Sequence, residues 1–198
     1  MVMPSLEVDM NRKIKLALMH DGSDEEGLSA VLIKWASEVI AQRAEFEPCV
    51  IELADLVTSP GTVRLGRRHE SLRYLAKADA YLIVTSEQSN SYPAELKAFI
   101  DRVPIRWHAR PVAFIGYGGA SGGLRAIDQL RQVLAGQHAV PICNFVSFPN
   151  PWALIDEREG ARLRDHARLP MARMLVQLNW WAKALRTARE QSPYELVS

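Results

Sequence analysis

The chain is poor in residues that staple or ligate. Among 198 residues it has two cysteines, Cys49 and Cys143, and no Cys-x-x-Cys pair, so neither a disulfide framework nor a thiolate metal site is expected. Both lie in apolar, strand-like runs and read as small buried thiols. The five histidines are scattered without a metal-ligand spacing. No His-Glu-x-x-His helix and no Ser-His-Asp order stands out, which leaves a metalloenzyme or a triad hydrolase without support. No apolar run is long enough to span a bilayer, and residues 1–12 lack the apolar stretch of a secretory signal. With 24 basic and 23 acidic residues the net charge is +1, which offers no general field for nucleic acid or an anionic membrane. A cytoplasmic protein acting on a small molecule is the expectation.

What is present is an alternation of strands and helices. Apolar runs at 13–19, 46–53, 79–85, 111–117 and 140–148 read as five strands. Between them, 29–44 carries Val31, Leu32, Trp35, Val39 and Ile40 at helical spacing. Further helices are expected at 71–77, capped by Ser71, at 94–103 behind Pro93, and at 124–135. Residues 54–70, with Pro60, Gly61 and Gly66, read as a long loop holding Arg64, Arg67 and Arg68. Near-continuous apolar strands separated by helices call for a parallel sheet covered on both faces. Right-handed crossovers make the five-stranded doubly wound order 2-1-3-4-5 the economical one. After Phe148, Pro149-Asn150-Pro151 breaks the chain and a charged stretch, 156–168, precedes a last helix at about 169–190. Trp180 and Trp181 diverge by about 100° on that helix. Either one packs on this domain and the other on a neighbour, or both pack within the monomer.

In an open parallel sheet, ligands bind outside the carboxyl ends of the strands. Three loops leave such ends. Residues 118–123 (Gly-Gly-Ala-Ser-Gly-Gly) let a flat ligand approach the backbone and offer N–H groups to its edge; a tight turn that needs glycine for its φ angles is the alternative. Residues 86–93 supply Ser86, Ser89, Asn90 and Ser91, or else form an ordinary helix lead-in with Ser91 as cap and Tyr92 as staple. Residues 21–28 place Gly22, Ser23 and, just beyond, Ser29 before a helix N-terminus, as a phosphate site would. Yet Asp21, Asp24, Glu25 and Glu26 crowd the same loop, where they repel a dianion or simply complement the helix dipole. His20, ending the first strand, reads as structural rather than catalytic, and His69 and His108 as exposed.

Two of these segments carry a resemblance. Gly116-Tyr117-Gly118-Gly119-Ala120-Ser121-Gly122-Gly123-Leu124-Arg125, and Ser89-Asn90-Ser91-Tyr92-Pro93-Ala94-Glu95-Leu96-Lys97 with Asp101 following, make the chain similar to the NADPH-dependent FMN reductases of the flavodoxin-like superfamily. The likeness covers residues 13–148. It implies a flavodoxin-like three-layer sandwich over 13–148, with 149–198 as a C-terminal extension packed on the same domain or on a dimer partner. It also implies FMN as cofactor, NADPH or NADH as reductant, and a homodimer or dimer of dimers. Two departures stand out. Gln88 occupies the place of an aromatic residue that commonly contacts the flavin, and Asp24 occupies that of an arginine in the phosphate loop.

The resemblance assigns Ser23 and Ser29 to the phosphate, and Ser86, Glu87, Gln88, Ser89 and Asn90 to the ring-side loop. Tyr117, Gly118, Gly119, Ala120 and Ser121 would form the loop at the ring edge. No side chain is expected to be catalytic, because the cofactor carries the redox chemistry. The rivals are a flavin-free binding protein on the same scaffold, or a cleft that pairs its acids with a cationic or neutral ligand.

Overall fold

The computed structural model describes residues 12–20, 27–53, 56, 65–102, 107–154 and 157–194. Its centre is a parallel sheet of β1 (Ile14–His20), β2 (Phe46–Glu52), β3 (Ala80–Ser86), β4 (Pro111–Gly118), β5 (Val140–Pro141) and β6 (Val146–Pro149). The order is β2-β1-β3-β4-β5, with β6 also alongside β4, which is the flavodoxin-like arrangement. Helices α1 (Leu28–Ala41), α2 (Leu65–Lys77), α3 (Ala94–Arg102), α4 (Leu124–Gly136) and α5 (Glu157–Gln191) flank it. No helix among the described residues is long and apolar enough to cross a membrane.

The strand sequences sort the two faces by alternation. Leu16 and Leu18, Leu82 and Val84, Ala113 and Ile115 join one core with Leu32, Trp35 and Ile40 of α1 and with Met171, Met174, Leu175 and Leu178 of α5. Ala17 and Met19, Tyr81 and Ile83, Val112 and Phe114 turn the other way, onto Leu75 of α2, Phe99 of α3 and Leu130 of α4. The β3 and β4 runs are buried on both faces, which is why they lack a polar alternation.

Several expectations are corrected. The loop assigned to 54–70 ends at Leu65, where α2 begins. Ser71 therefore lies inside a helix instead of capping it. Gly66 falls in the first turn, where its low helix propensity matters least, and Leu72, Tyr74 and Leu75 hold the helix to the core.

The single strand assigned to 140–148 is two short ones. Pro141 has no N–H for the ladder, and the chain leaves β4 between Ile142 and Phe145. The orphaned groups find side chains instead: Arg131 donates to the carbonyls of Ile142 (2.8 Å) and Cys143 (2.9 Å), and Gln177 accepts from the Asn144 N–H at 2.8 Å. Cys143 is consequently exposed and off the strand, while Cys49 on edge strand β2 is half-buried; both thiols are free.

The last helix starts at Glu157, not near 169, and runs 35 residues with Pro170 inside. The charged stretch is helical because Leu163 and Ala167 continue the apolar face of Met171 and Met174. His108 is likewise not a free loop residue: its ring packs 5.1 Å from His138 and 5.8 Å from Tyr194.

Candidate functional site

The crevice follows from the strand order. From β1 the chain passes to β2 on one side and then crosses to β3 on the other, so the loops leaving β1 and β3 diverge at their carboxyl ends. His20 at the end of β1 pairs in register with Val84, and Ser86 at the end of β3 pairs with Tyr117. The starts of the three expected loops are thus brought side by side.

The loop after β3 is a miniature hairpin. Gln88 and Ser91 exchange two backbone hydrogen bonds of 2.8 Å, and the residues between them, Ser89 (φ 47°) and Asn90 (φ 64°), both have positive φ, as in a type I′ turn. Asn tolerates that region, and its side chain is used besides: Asn90 Oδ1 accepts from Arg125 Nη1 at 2.7 Å. Gln129 on α4 holds the same turn twice, donating to the Asn90 carbonyl (2.9 Å) and accepting from the Ser91 hydroxyl (2.7 Å). Ser91 is therefore a tie to α4 and not a cap of α3. Tyr92 packs against the core beneath, as a staple.

Glu87 is the pivot between the loops. Its carboxylate, 8% exposed, accepts from the Ser121 hydroxyl (2.7 Å), the Arg125 N–H (3.1 Å) and the Arg125 guanidinium (3.3 Å). Its own N–H donates to the Tyr117 carbonyl at 2.8 Å. A buried carboxylate needs such partners, and these fasten the hairpin, the glycine loop and α4 into one bracket.

The glycines of 118–123 do different work. A Cβ on Gly123 (φ 86°) would lie 2.5 Å from the Tyr117 nitrogen, and one on Gly122 (φ 61°) 2.3 Å from Ser147 Oγ. Those two serve the turn itself. Gly119 is the opposite case: its φ is not positive and a Cβ there meets nothing within 4 Å. Nothing among the described residues requires glycine at 119; what the residue preserves is open space above the loop. Among the described residues, the N–H groups of Gly119, Ala120 and Ser121 meet no acceptor. Three unpaired donors beside that space fit the edge of a flat, acceptor-rich ring.

The structure distributes the expected site residues unevenly. Ser86 to Asn90 and Gly118 to Ser121 come together in the bracket. The Tyr117 ring, 3% exposed, belongs to the core, so only its backbone reaches the site. Ser29 is 2% exposed in the first turn of α1. That helix begins after Gly27 (φ 70°), without a side-chain cap hydrogen bond from that residue and without acids in its first turn. Ser23 and the acids Asp21, Asp24, Glu25 and Glu26 lie outside the described residues, as does Arg64. His20 keeps a buried Nδ1 without a hydrogen-bond partner among the described residues.

One contributor was not anticipated. Asn150 (φ 49°) turns its N–H onto the carbonyls of Gly118 and Gly119, both at 3.0 Å, and Ser147 donates to the Gly122 carbonyl at 2.8 Å. The Pro149-Asn150-Pro151 break is thus the outer wall of the glycine loop. Its sequence signal is the Asn between two prolines, which favours a turn without saying what the turn touches.

A family model described as NADPH-dependent FMN reductase matches residues 14–153. The NAD(P)H-dependent FMN reductase LOT6 of Saccharomyces cerevisiae is 41% identical over 64 residues, 32% of this chain and 33% of that protein. The NAD(P)H-dependent FMN reductase C4B3.06c of Schizosaccharomyces pombe is 28% identical over 117 residues, 54% of this chain and 58% of that protein. The matches therefore span less than two thirds of either relative. Among solved structures, the flavoenzyme NAD(P)H:(acceptor) oxidoreductase FerB of Paracoccus denitrificans shares the fold, with a TM-score of 0.59 at 19% identity over 82% of this chain and 97% of that one.

Proposed function

The chain belongs to the NADPH-dependent FMN reductase family, and on that premise we propose that it is an NAD(P)H-dependent flavin- or quinone-type oxidoreductase with FMN at the carboxyl ends of its parallel strands. The observation that carries this reading is the open space over Gly119, flanked by the N–H groups of Gly119, Ala120 and Ser121, which meet no acceptor among the described residues. When bound, FMN would supply the redox chemistry, accepting hydride equivalents from NADPH or NADH for a small-molecule acceptor.

The protein's part is to bind and orient. The donors of 119–121 hold the ring edge and favour negative charge developing there. Glu87 keeps them in place through Ser121 and Arg125. Gln88, Ser89, Asn90 and Ser86 would hold the group from the neighbouring loop, where Gln88 offers an amide in place of an aromatic π face. The phosphate end falls to Ser23, Ser29 and the start of α1. The expected setting is the cytoplasm, in keeping with two free thiols, and the expected assembly is a homodimer or dimer of dimers.

The decisive experiment is an FMN titration of the purified protein followed by NADPH and NADH oxidation. Saturable binding with the flavin absorbance bands, and turnover that depends on FMN, is the expected result. Absence of saturable binding overturns the reading. The acids at 21 and 24–26 favour a second reading, a flavin-free protein on the same scaffold. Binding that appears only in Asp24→Arg would support it and identify charge repulsion as the cause.

A further inference from the structure

The fold gathers three ring side chains that the sequence scatters, at the end of the sheet away from the strand carboxyl ends. His108 precedes β4, His138 follows α4 and Tyr194 follows α5. The centroids of the two imidazoles lie 5.1 Å apart, and the Tyr194 ring stands 5.8 Å from His108 and 5.7 Å from His138. No pair is stacked face to face, the interplanar angles being 52°, 59° and 73°. The Tyr194 hydroxyl oxygen lies 3.1 Å from His138 Nδ1. His108 Nδ1 is buried without a hydrogen-bond partner among the described residues.

The backbone is strained to hold this convergence. His138 (φ 58°) takes the left-handed position that closes α4, where its N–H donates to the Ala135 carbonyl and that of Ala139 to Leu134, both at 3.0 Å. Glycine or asparagine is the usual residue there, because a β-carbon is disfavoured in that region. Ala109 (φ 49°), next to His108, takes the same region and donates its N–H to the His138 carbonyl at 2.8 Å. Two strained residues bonded to each other thus fix both imidazoles, and such strain collects where a site is built.

The spacing is that of ligands around one small cation. Two imidazoles on a tetrahedral ion, with metal–nitrogen bonds of about 2.0–2.1 Å, have centroids about 5 Å apart and neighbouring donor atoms about 3 Å apart. The cluster shows 5.1 Å and 3.1 Å. No three His, Cys, Asp or Glu side chains gather for a metal among the described residues; here the third donor is a phenol. Imidazoles with a phenolate suit a late transition ion, whereas magnesium and calcium take oxygen ligands. The carboxyl end of α4 adds negative potential. The neighbouring cations oppose it but are engaged: Arg110 donates to the His108 carbonyl at 3.4 Å, and Arg189 donates to the Ala109 carbonyl and pairs with Asp79. His138 is exposed and the other two rings are half-buried, so an ion can enter from solvent.

We propose that His108, His138 and Tyr194 bind one divalent late transition ion, copper(II) in preference to zinc, which clasps the end of α5 to α4 and to the segment entering β4. On binding, the Tyr194 hydroxyl gives its proton to solvent, and water completes the coordination. The site and the glycine loop lie at opposite ends of the strands, so the proposal stands apart from the flavin reading.

The test is calorimetric titration of the untagged full chain, in a Cys49→Ser/Cys143→Ser background, with Cu²⁺, Zn²⁺ and Mg²⁺. His138→Asn keeps a residue suited to the left-handed backbone, His108→Gln and Tyr194→Phe remove the other donors, and circular dichroism checks folding. The expected result is one Cu²⁺ per chain, Zn²⁺ weaker by roughly tenfold or more, and no Mg²⁺, with a melting temperature raised by the bound ion. Copper affinity should fall by about 100-fold in each histidine variant, and Tyr194→Phe should lose the visible phenolate-to-copper absorption. Unchanged affinity in both histidine variants means an ion bound elsewhere and overturns the proposal, as does a protein that binds no copper saturably. An absorption band that survives Tyr194→Phe removes the phenol from the site.

Discussion

The Glu87 carboxylate accepts the Ser121 hydroxyl at 2.7 Å, joining the loop that leaves β3 to the loop that leaves β4. Because the same carboxylate also receives the N–H and guanidinium of Arg125, the start of α4 moves with both. The N–H groups of 119–121, unpaired among the described residues, are therefore positioned by a buried charge (8% exposed) on a neighbouring strand end, and not by the glycine loop alone. Glu87 acts on the ring edge only through Ser121 and Arg125, so it is a positioning residue.

Removing that charge should loosen the bracket before it harms the fold. Glu87→Ala takes the acceptor from the Ser121 hydroxyl and the Arg125 N–H, while the guanidinium keeps Asn90, a cost of about 1–3 kcal/mol. FMN affinity is expected to fall about tenfold by fluorescence quenching, with Glu87→Gln losing less because its amide oxygen still accepts from Ser121. Unchanged affinity and melting temperature in Glu87→Ala would show that the bracket holds without it.

Gly119 and Gly123 should respond oppositely to the same methyl group. Gly119→Ala fits the chain, so its melting temperature should stay within about 2 °C of wild type, a shift of under 1 kcal/mol. Its FMN affinity should nonetheless drop severalfold, because the methyl stands in the space over the loop. Gly123→Ala puts Cβ 2.5 Å from a backbone nitrogen at φ 86° and should cost more than about 2 kcal/mol. Equal thermal shifts in the two variants would refute this division of labour.

The same pair explains what could be read from the residues alone. The parallel sheet and its order were legible because β1, β3 and β4 are near-continuous apolar runs punctuated by turn residues. The ring-side loops were legible as loops, since Gly122, Gly123 and Asn90 are the residue types that take positive φ. Which glycine served the turn and which kept space open was not, because that depends on Ser147 and Gly116, contacts made across strands.

The role of Glu87 was hidden for the same reason: its partners lie 34 and 38 residues away. The early start of α5 was hidden because Arg162, Arg164 and Asp165 read as a charged surface. The split of the last strand turned on side chains, Arg131 and Gln177, that take over backbone bonds at a distance.

Asp79 anchors α5 at the opposite end of the sheet. It is 5% exposed, lies 3.4 Å from both Arg186 and Arg189, and accepts the Lys15 N–H at 3.2 Å. Arg186, 4% exposed, also donates to the carbonyls of Lys13 and Arg12. Asp79→Asn strands a buried guanidinium and should cost about 3 kcal/mol, roughly 6–12 °C in melting temperature. The double variant Asp79→Leu/Arg186→Met should recover part of that loss. A double variant no better than Asp79→Asn would mean that packing, and not charge, holds the helix here.

The two free thiols should separate kinetically. Cys143 is exposed, whereas Cys49 is half-buried on β2, where burial and then Glu70 and Glu47 push its thiol above the ordinary value. Since the thiolate is the reactive form, labelling of the native protein with a disulfide reagent near pH 8 should be biphasic. One equivalent should react fast and be lost in Cys143→Ser. A single fast phase of two equivalents would contradict the Cys49 environment.

Tyr74 supplies a pH dependence whose sign can be worked out. Its phenol, on α2, donates to the Glu47 carbonyl of edge strand β2. Burial, then Cys49 and Glu47, raise its pKa well above the ordinary value near 10. An acid held neutral in the fold contributes stability that is fully present below its unfolded pKa. That contribution drains away as pH rises above about 10, because the unfolded chain then ionises and the folded one does not. Tyr74→Phe removes the titration along with the hydrogen bond. The melting-temperature gap between wild type and Tyr74→Phe should therefore be constant from pH 7 to 9 and shrink steadily toward pH 11. Lysines and other tyrosines titrate in the same range, but they are common to both proteins and cancel in the difference. A gap that stays constant to pH 11 would mean that the Tyr74 phenol ionises as readily in the folded protein as in the unfolded chain.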